Sequence, residues 1–123
     1  MQSFSVVLLQ LDSTVTQSLA ASLSRLHSSV HVVHSVHELQ DQVARHRSPA
    51  AILDLEAASI AEIEALAREF PAVRIVCNHR LADDAMWTAV LGAGGVDCLH
   101  SRDTRGIVSA TLGKAGMASA AAA

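Results

Sequence analysis

Two hydrophobic patterns alternate along the chain. Short continuous apolar runs take turns with stretches whose apolar residues recur three or four positions apart. Runs bounded by turn residues predict buried strands, and the wider spacing predicts amphipathic helices. The runs are Ser5–Leu9, Val30–His34, Ala50–Leu55, Ala72–Cys77 and Val96–Leu99. The second alternates imperfectly, which suits a sheet edge.

Between the runs lie the helical stripes. Val15, Leu19, Leu23 and Leu26 predict a helix from about residue 14 to 26. Val36, Leu39 and Val43 mark the second, and Ile60, Ile63, Leu66 or Ala67, and Phe70 the third. Met86, Trp87, Val90 and Leu91 carry the fourth; Ile107, Val108, Thr111 and Leu112 carry the last. Helix-start residues stand where each stripe begins. They are Asp12 or Ser13, Ser35 with Glu38, Ser59 with Glu62, Asp83 with Asp84, and Asp103. Each offers a side-chain oxygen to the free N–H groups of a first turn. Ser48-Pro49 and Pro71 end the second and third helices, and Gly92 is the expected cap of the fourth. Strands alternating with helices in this way predict a parallel sheet with right-handed crossovers and helices on both faces.

Composition narrows the picture. The 123 residues allow one domain, and half of them are hydrophobic. Aromatics are limited to Phe4, Phe70 and Trp87, so the core must be built from Val, Leu, Ile and Ala. A net charge of −3 without a basic run argues against nucleic-acid binding by this domain. No apolar stretch is long enough to span a membrane, and the start lacks a signal-peptide pattern. Cys77 and Cys98 do not make a disulfide framework, and a reducing, cytoplasmic setting is expected. The tail, Ala115–Ala123, has no periodicity and reads as an Ala-rich extension or the start of a linker.

The chemistry centres on Ala50-Ala-Ile-Leu-Asp-Leu-Glu56, an apolar run that ends in a carboxylate, Asp54. An acid there lies at the sheet's carboxyl edge, where open α/β sheets keep their sites. Other motifs fall away. His37-Glu38-Leu-Gln-Asp41 begins like a zinc-protease helix but has Asp41 where the second histidine must be. His31 and His34 point to opposite faces of a strand and do not converge on one metal. Gly92-Ala-Gly-Gly95 follows a helix, the reverse of a phosphate-cradling loop. Cys77 and Cys98 read as small buried hydrophobes rather than a redox pair.

The element order and several strings resemble the receiver domain of two-component response regulators. The strings are Ala-Ile-Leu-Asp-Leu at 51–55, Leu-Gly-Ala at 91–93, Asp-Cys-Leu at 97–99 and Asp-Ser-Thr-Val at 12–15. The resemblance spans about residues 4 to 114 and implies one domain over 1–114. It implies a three-layer α/β/α flavodoxin-like (βα)5 fold, its five parallel strands in order 2-1-3-4-5. It also implies that Asp54 accepts a phosphoryl group from a histidine kinase or small phosphodonor.

The family's other site positions depart from the pattern. Two acids are expected at the end of the first strand, and Gln10 and Leu11 stand there, followed by Asp12. Mg²⁺ held by Asp12 and Asp54 is therefore expected to bind weakly. Cys77 takes the place of a hydroxyl residue on the fourth strand, Cys98 that of an aromatic switch, and Ser101 that of a lysine. Arg102 is the candidate substitute contact to phosphate, and Glu56 a candidate second oxygen near a cation. Two readings follow, both regulatory rather than enzymatic. One is a phosphorelay receiver using Asp54. The other is a pseudo-receiver that binds a protein partner or a second copy through the face of helix 4, strand 5 and helix 5, where Met86 and Trp87 lie.

Overall fold

The structure is a computed structural model and describes residues 4–26 and 28–113. Five strands, β1 (Phe4–Leu9), β2 (Ser28–Val33), β3 (Ala50–Asp54), β4 (Arg74–His79) and β5 (Asp97–His100), form one parallel sheet of order β2-β1-β3-β4-β5. Between and after them run α1 (Ser13–Ser24), α2 (Val36–His46), α3 (Ile60–Glu69), α4 (Asp84–Ala93) and α5 (Thr104–Thr111). This is the flavodoxin-like architecture and strand order expected above.

The two faces of the sheet bury separate clusters. Leu19 and Leu23 of α1 and Ile107 and Ala110 of α5 cover Val6, Leu8, Ile52 and Val76. On the other face α2, α3 and α4 bring Leu39, Val43, Ile63, Leu66 and Val90 onto Val7, Leu53, Ile75 and Cys77. Successive strand residues alternate between the two clusters, as the pleat requires. β3 is buried along its whole length. Truncating a residue at its centre, such as Ile52→Ala, is expected to cost about 2–5 kcal/mol.

Caps follow the sequence signals, with differences of detail. Asp12, not Ser13, caps α1, its Oδ1 accepting the Thr14 N–H at 2.7 Å. Ser59 and Glu62 form a reciprocal capping box. At α2, Ser35 accepts from Glu38, but the Glu38 carboxylate reaches the His34 N–H instead of Ser35. α4 continues through Gly92 and ends at Gly94, whose φ of +104° is the left-handed cap.

β4 is the largest correction. It runs Arg74–His79 rather than Ala72–Cys77. The Val73 N–H closes a turn onto the Phe70 carbonyl, so Pro71–Val73 cannot join the sheet. At the other end the ladder continues past the apolar run into Asn78 and His79. β2 likewise starts two residues earlier than expected and β5 one residue later. The tail over 115–123 lies outside the described residues. No described helix is long and apolar enough to cross a membrane.

Candidate functional site

Asp54 is the last residue of β3 and is only 3 % exposed. Its Oδ1 accepts the Glu56 N–H at 2.9 Å, an Asx-type turn that folds the chain away from the sheet. Its Oδ2 accepts the Leu11 N–H at 3.2 Å, and its backbone carbonyl accepts from Ala57 and Ala58. The carboxylate is thus gripped by the β1–α1 and β3–α3 loops together.

A row of polar side chains crosses the sheet at this level. Asp54 pairs with Asn78 in the β3–β4 register, and Gln10 stands one residue beyond the Leu9–Leu53 pair. All three continue the side of the sheet covered by α1 and α5, above Leu8, Ile52 and Val76. Gln10, just past the end of β1, and Asn78 of β4 flank β3 and meet each other. Gln10 Nε2 donates to Asn78 Oδ1 at 2.8 Å, and Asn78 Nδ2 donates to Gln10 Oε1 at 2.9 Å. Asn78 Nδ2 also donates to Ser101 Oγ at 2.8 Å. Asn78 is fully buried, and Gln10 and Ser101 nearly so. Both amide donors and the carbonyl oxygen of Asn78 are therefore satisfied by neutral partners.

Above this row opens a cleft of about 340 Å³ lined by Leu11, Asp12, Val15, Asp54, Glu56, Arg80 and Ser101. Arg80 holds Glu56 in a two-pronged pair, Nε to Oε1 at 2.8 Å and Nη2 to Oε2 at 2.9 Å. Those hydrogen bonds draw the Glu56 carboxyl below its usual range and raise Arg80, with the nearby Asp54 and Asp12 charges adding to the latter. Leu11 projects outward and is 66 % exposed.

The structure brings Asp12, Asp54 and Ser101 to this cleft, together with Glu56. It does not bring Cys77, Cys98 or Arg102. Cys77 is fully buried on the opposite face, in register with Cys98 on β5. Burial raises both thiols, Cys77 strongly and Cys98 to about 11, so each stays protonated near neutral pH. Arg102 borders a separate depression with Arg80, His100 and Ser101. Asp12 lines the cleft but spends its Oδ1 on the α1 cap.

Sequence reasoning missed Asn78 and Arg80. Ending the fourth strand at Cys77 puts Cys77 beside Asp54, whereas the register pairs Asp54 with Asn78. Arg80 carried a signal in its charge two residues beyond the observed β4 partner of Asp54, but nothing in the sequence alone paired it with Glu56.

On the remaining expected contact face, Trp87 is 46 % exposed, and its Nε1 donates to Asp97 Oδ1 at 3.2 Å. Beside it a groove of about 460 Å³ runs along α4 and β5 to Asp103, the cap of α5.

No protein-family model matches the sequence, and neither does any curated protein. Solved structures do match. A response regulator from Thermotoga maritima superposes with a TM-score of 0.82 at 14 % identity, over 94 % of this chain and 99 % of that one. A response regulator from Burkholderia pseudomallei, solved with a phosphorylated aspartic acid, calcium ion and citrate, gives 0.81 at 18 % identity, over 98 % and 73 % of the two chains. An orphan response regulator of H. pylori gives 0.79 at 10 % identity, over 92 % and 97 %. At these identities the likeness is one of fold, and the fold of this chain is that of the response regulator receiver domain.

Proposed function

We propose that this domain is a receiver-type signalling module that works by protein contact, without phosphorylation of Asp54. The observation that carries the reading is the neutral Gln10–Asn78–Ser101 network packed beside the Asp54 carboxylate. Phosphoryl transfer to a carboxylate needs positive charge to offset the phosphoryl oxygens, most often from Mg²⁺. The residues present do not fit Mg²⁺, which favours several oxygen ligands in octahedral array. Gln10 commits its amide oxygen to Asn78, Leu11 has no donor atom, and Asp12 caps its own helix. Glu56 commits both of its carboxylate oxygens to the Arg80 guanidinium. Among the described residues no group of three or more metal-binding side chains converges. On this reading the face of α4, β5 and α5, with half-exposed Trp87 and Leu91, is the contact surface. Its partner is a protein or a second copy of the chain.

The second reading keeps Asp54 as a phosphoryl acceptor from a histidine kinase or small phosphodonor. Its support is that Asp54 borders an open cleft with the Arg80 guanidinium on the wall. One experiment separates the two. The domain is incubated with acetyl phosphate and Mg²⁺ and its intact mass recorded, with Asp54→Ala as control. An unmodified mass is expected; a phosphoryl adduct on the parent that the control lacks would establish the second reading.

A further inference from the structure

The cleft at Asp54 carries an unbalanced charge. Asp12, Asp54 and Glu56 line it against one cation, Arg80, which Glu56 already neutralises. Asp54 is almost completely removed from solvent, and it belongs to none of the ion pairs among the described residues. A buried carboxylate held only by backbone N–H groups gains from a cation that reaches it from the open side. Ser101, the side chain from the β5–α5 turn that lines this cleft, is too short and uncharged to be that cation.

The surroundings of the cleft point to a protein as the source. Leu11 on its lining is 66 % exposed, and Leu81, next to Arg80 on the β4–α4 loop, is 70 % exposed. These are the two most exposed large apolar side chains among the described residues, and both stand on loops at the carboxyl edge. A metal ion or small amine would leave them in water, whereas a partner chain would cover them. The volume of about 340 Å³ lies at the lower end of the range for ligand-binding clefts.

We propose that the Asp54 cleft receives a lysine or arginine side chain from a partner protein whose neighbouring residues are apolar and cover Leu11 and Leu81. The basic head pairs with Asp54 and Asp12, and the apolar flanks supply the remaining contact. The proposal rests on the reading of the cleft as a site without phosphoryl chemistry, which the mass measurement above tests separately.

The probe is a blocked Leu-Arg-Leu tripeptide, titrated to about 10 mM, past a Kd of roughly 1 mM, into ¹⁵N-labelled domain. A blocked Leu-Gln-Leu tripeptide is the control. Saturable shifts are expected at the Leu11 and Glu56 amides, the two N–H groups that hold Asp54, with the arginine peptide only. Asp54→Asn should abolish them, and Leu81→Ala should weaken binding by about tenfold. Equal response to both peptides, no saturable response, or shifts that survive Asp54→Asn would overturn the proposal. A domain that takes up no phosphoryl group yet ignores the arginine peptide overturns this proposal alone, leaving the contact-module reading standing.

Discussion

Gln10 and Asn78 exchange both of their amide hydrogen bonds across the carboxyl end of β3, although their strands are not neighbours in the sheet. Removing one partner strands the other away from water, and an unsatisfied buried polar group costs more than the bond contributes. Asn78→Ala is therefore expected to destabilise the domain by roughly 2–4 kcal/mol. Replacing both residues with apolar ones of similar size, Gln10→Met with Asn78→Leu, should cost less than the sum of the two single changes. Urea denaturation of the four proteins measures the coupling, and strict additivity would show that the pair is not an energetic unit.

Placing acids at the end of β1 should set up a charge conflict with Asp54. Gln10→Asp with Leu11→Asp crowds carboxylates around Asp54, and like charges in a shielded site repel. At neutral pH the repulsion is expected to cost about 1–2 kcal/mol, roughly 4–10 °C in Tm for a domain of this length, in addition to the cost of leaving Asn78 Oδ1 without its Gln10 donor. Repulsion raises the folded-state pKa of the cluster, so the deficit should shrink as pH falls toward the ordinary carboxylate value of about 4. Mg²⁺ should raise the Tm of the variant and leave the parent unchanged. Thermal melts across pH, with and without Mg²⁺, read both effects.

His31 of β2 and His46 at the end of α2 stack with ring centres 4.0 Å apart and planes 9° from parallel. Burial first, and the charge of His46 second, hold the His31 imidazole below its ordinary pKa. The folded state then binds this proton less readily than the unfolded chain. The associated stability is complete above the unfolded value of about 6.5 and declines as pH falls through it toward the lower folded value. His46→Gln should move His31 upward and flatten that decline. Following the His31 ring protons by NMR titration tests the shift; an unmoved midpoint would mean the stack carries no electrostatic penalty.

Two glycines near the end of α4 should respond in opposite directions. Gly94 has φ +104°, and a Cβ there would lie 2.6 Å from Ala67 Cβ, so Gly94→Ala is expected to cost about 1–3 kcal/mol. Gly92 lies inside the helix with nothing within 4 Å of an added Cβ. Gly92→Ala should add about 0.5–1 kcal/mol by removing backbone freedom from the unfolded chain. Denaturation midpoints of the two variants decide whether the helix ends where the structure places its cap.

The layered fold was legible because hydrophobic periodicity is a local property. The run Ala50–Leu53 and the Ser59–Glu62 box could each be read within a few residues, and each appears as an element of the structure. Of the site, Asp54 was legible where an apolar run ends in a charge, and the family resemblance supplied Asp12, Glu56 and Ser101, which line the same cleft. Asn78 escaped because its polarity resembled the end of a strand. Its buried position depends on Gln10 and Ser101, which lie 68 and 23 residues away in sequence. The reach of Arg80 to Glu56 and the outward turn of Trp87 likewise depend on packing between distant segments. No local pattern records either of them.

The amide network also bears on motion. Gln10, Asn78 and Ser101 tie β1, β4 and the turn after β5 into one hydrogen-bonded brace. Any second arrangement of that edge must break three bonds before it forms others. At about 1 kcal/mol each, the resulting penalty of roughly 3 kcal/mol holds such a state below about one molecule in a hundred. A partner that prefers the second arrangement must spend about a hundredfold of its affinity to reach it. On the proposed contact-module reading, the domain would be recognised in the shape it already has, as a fixed template rather than a toggle.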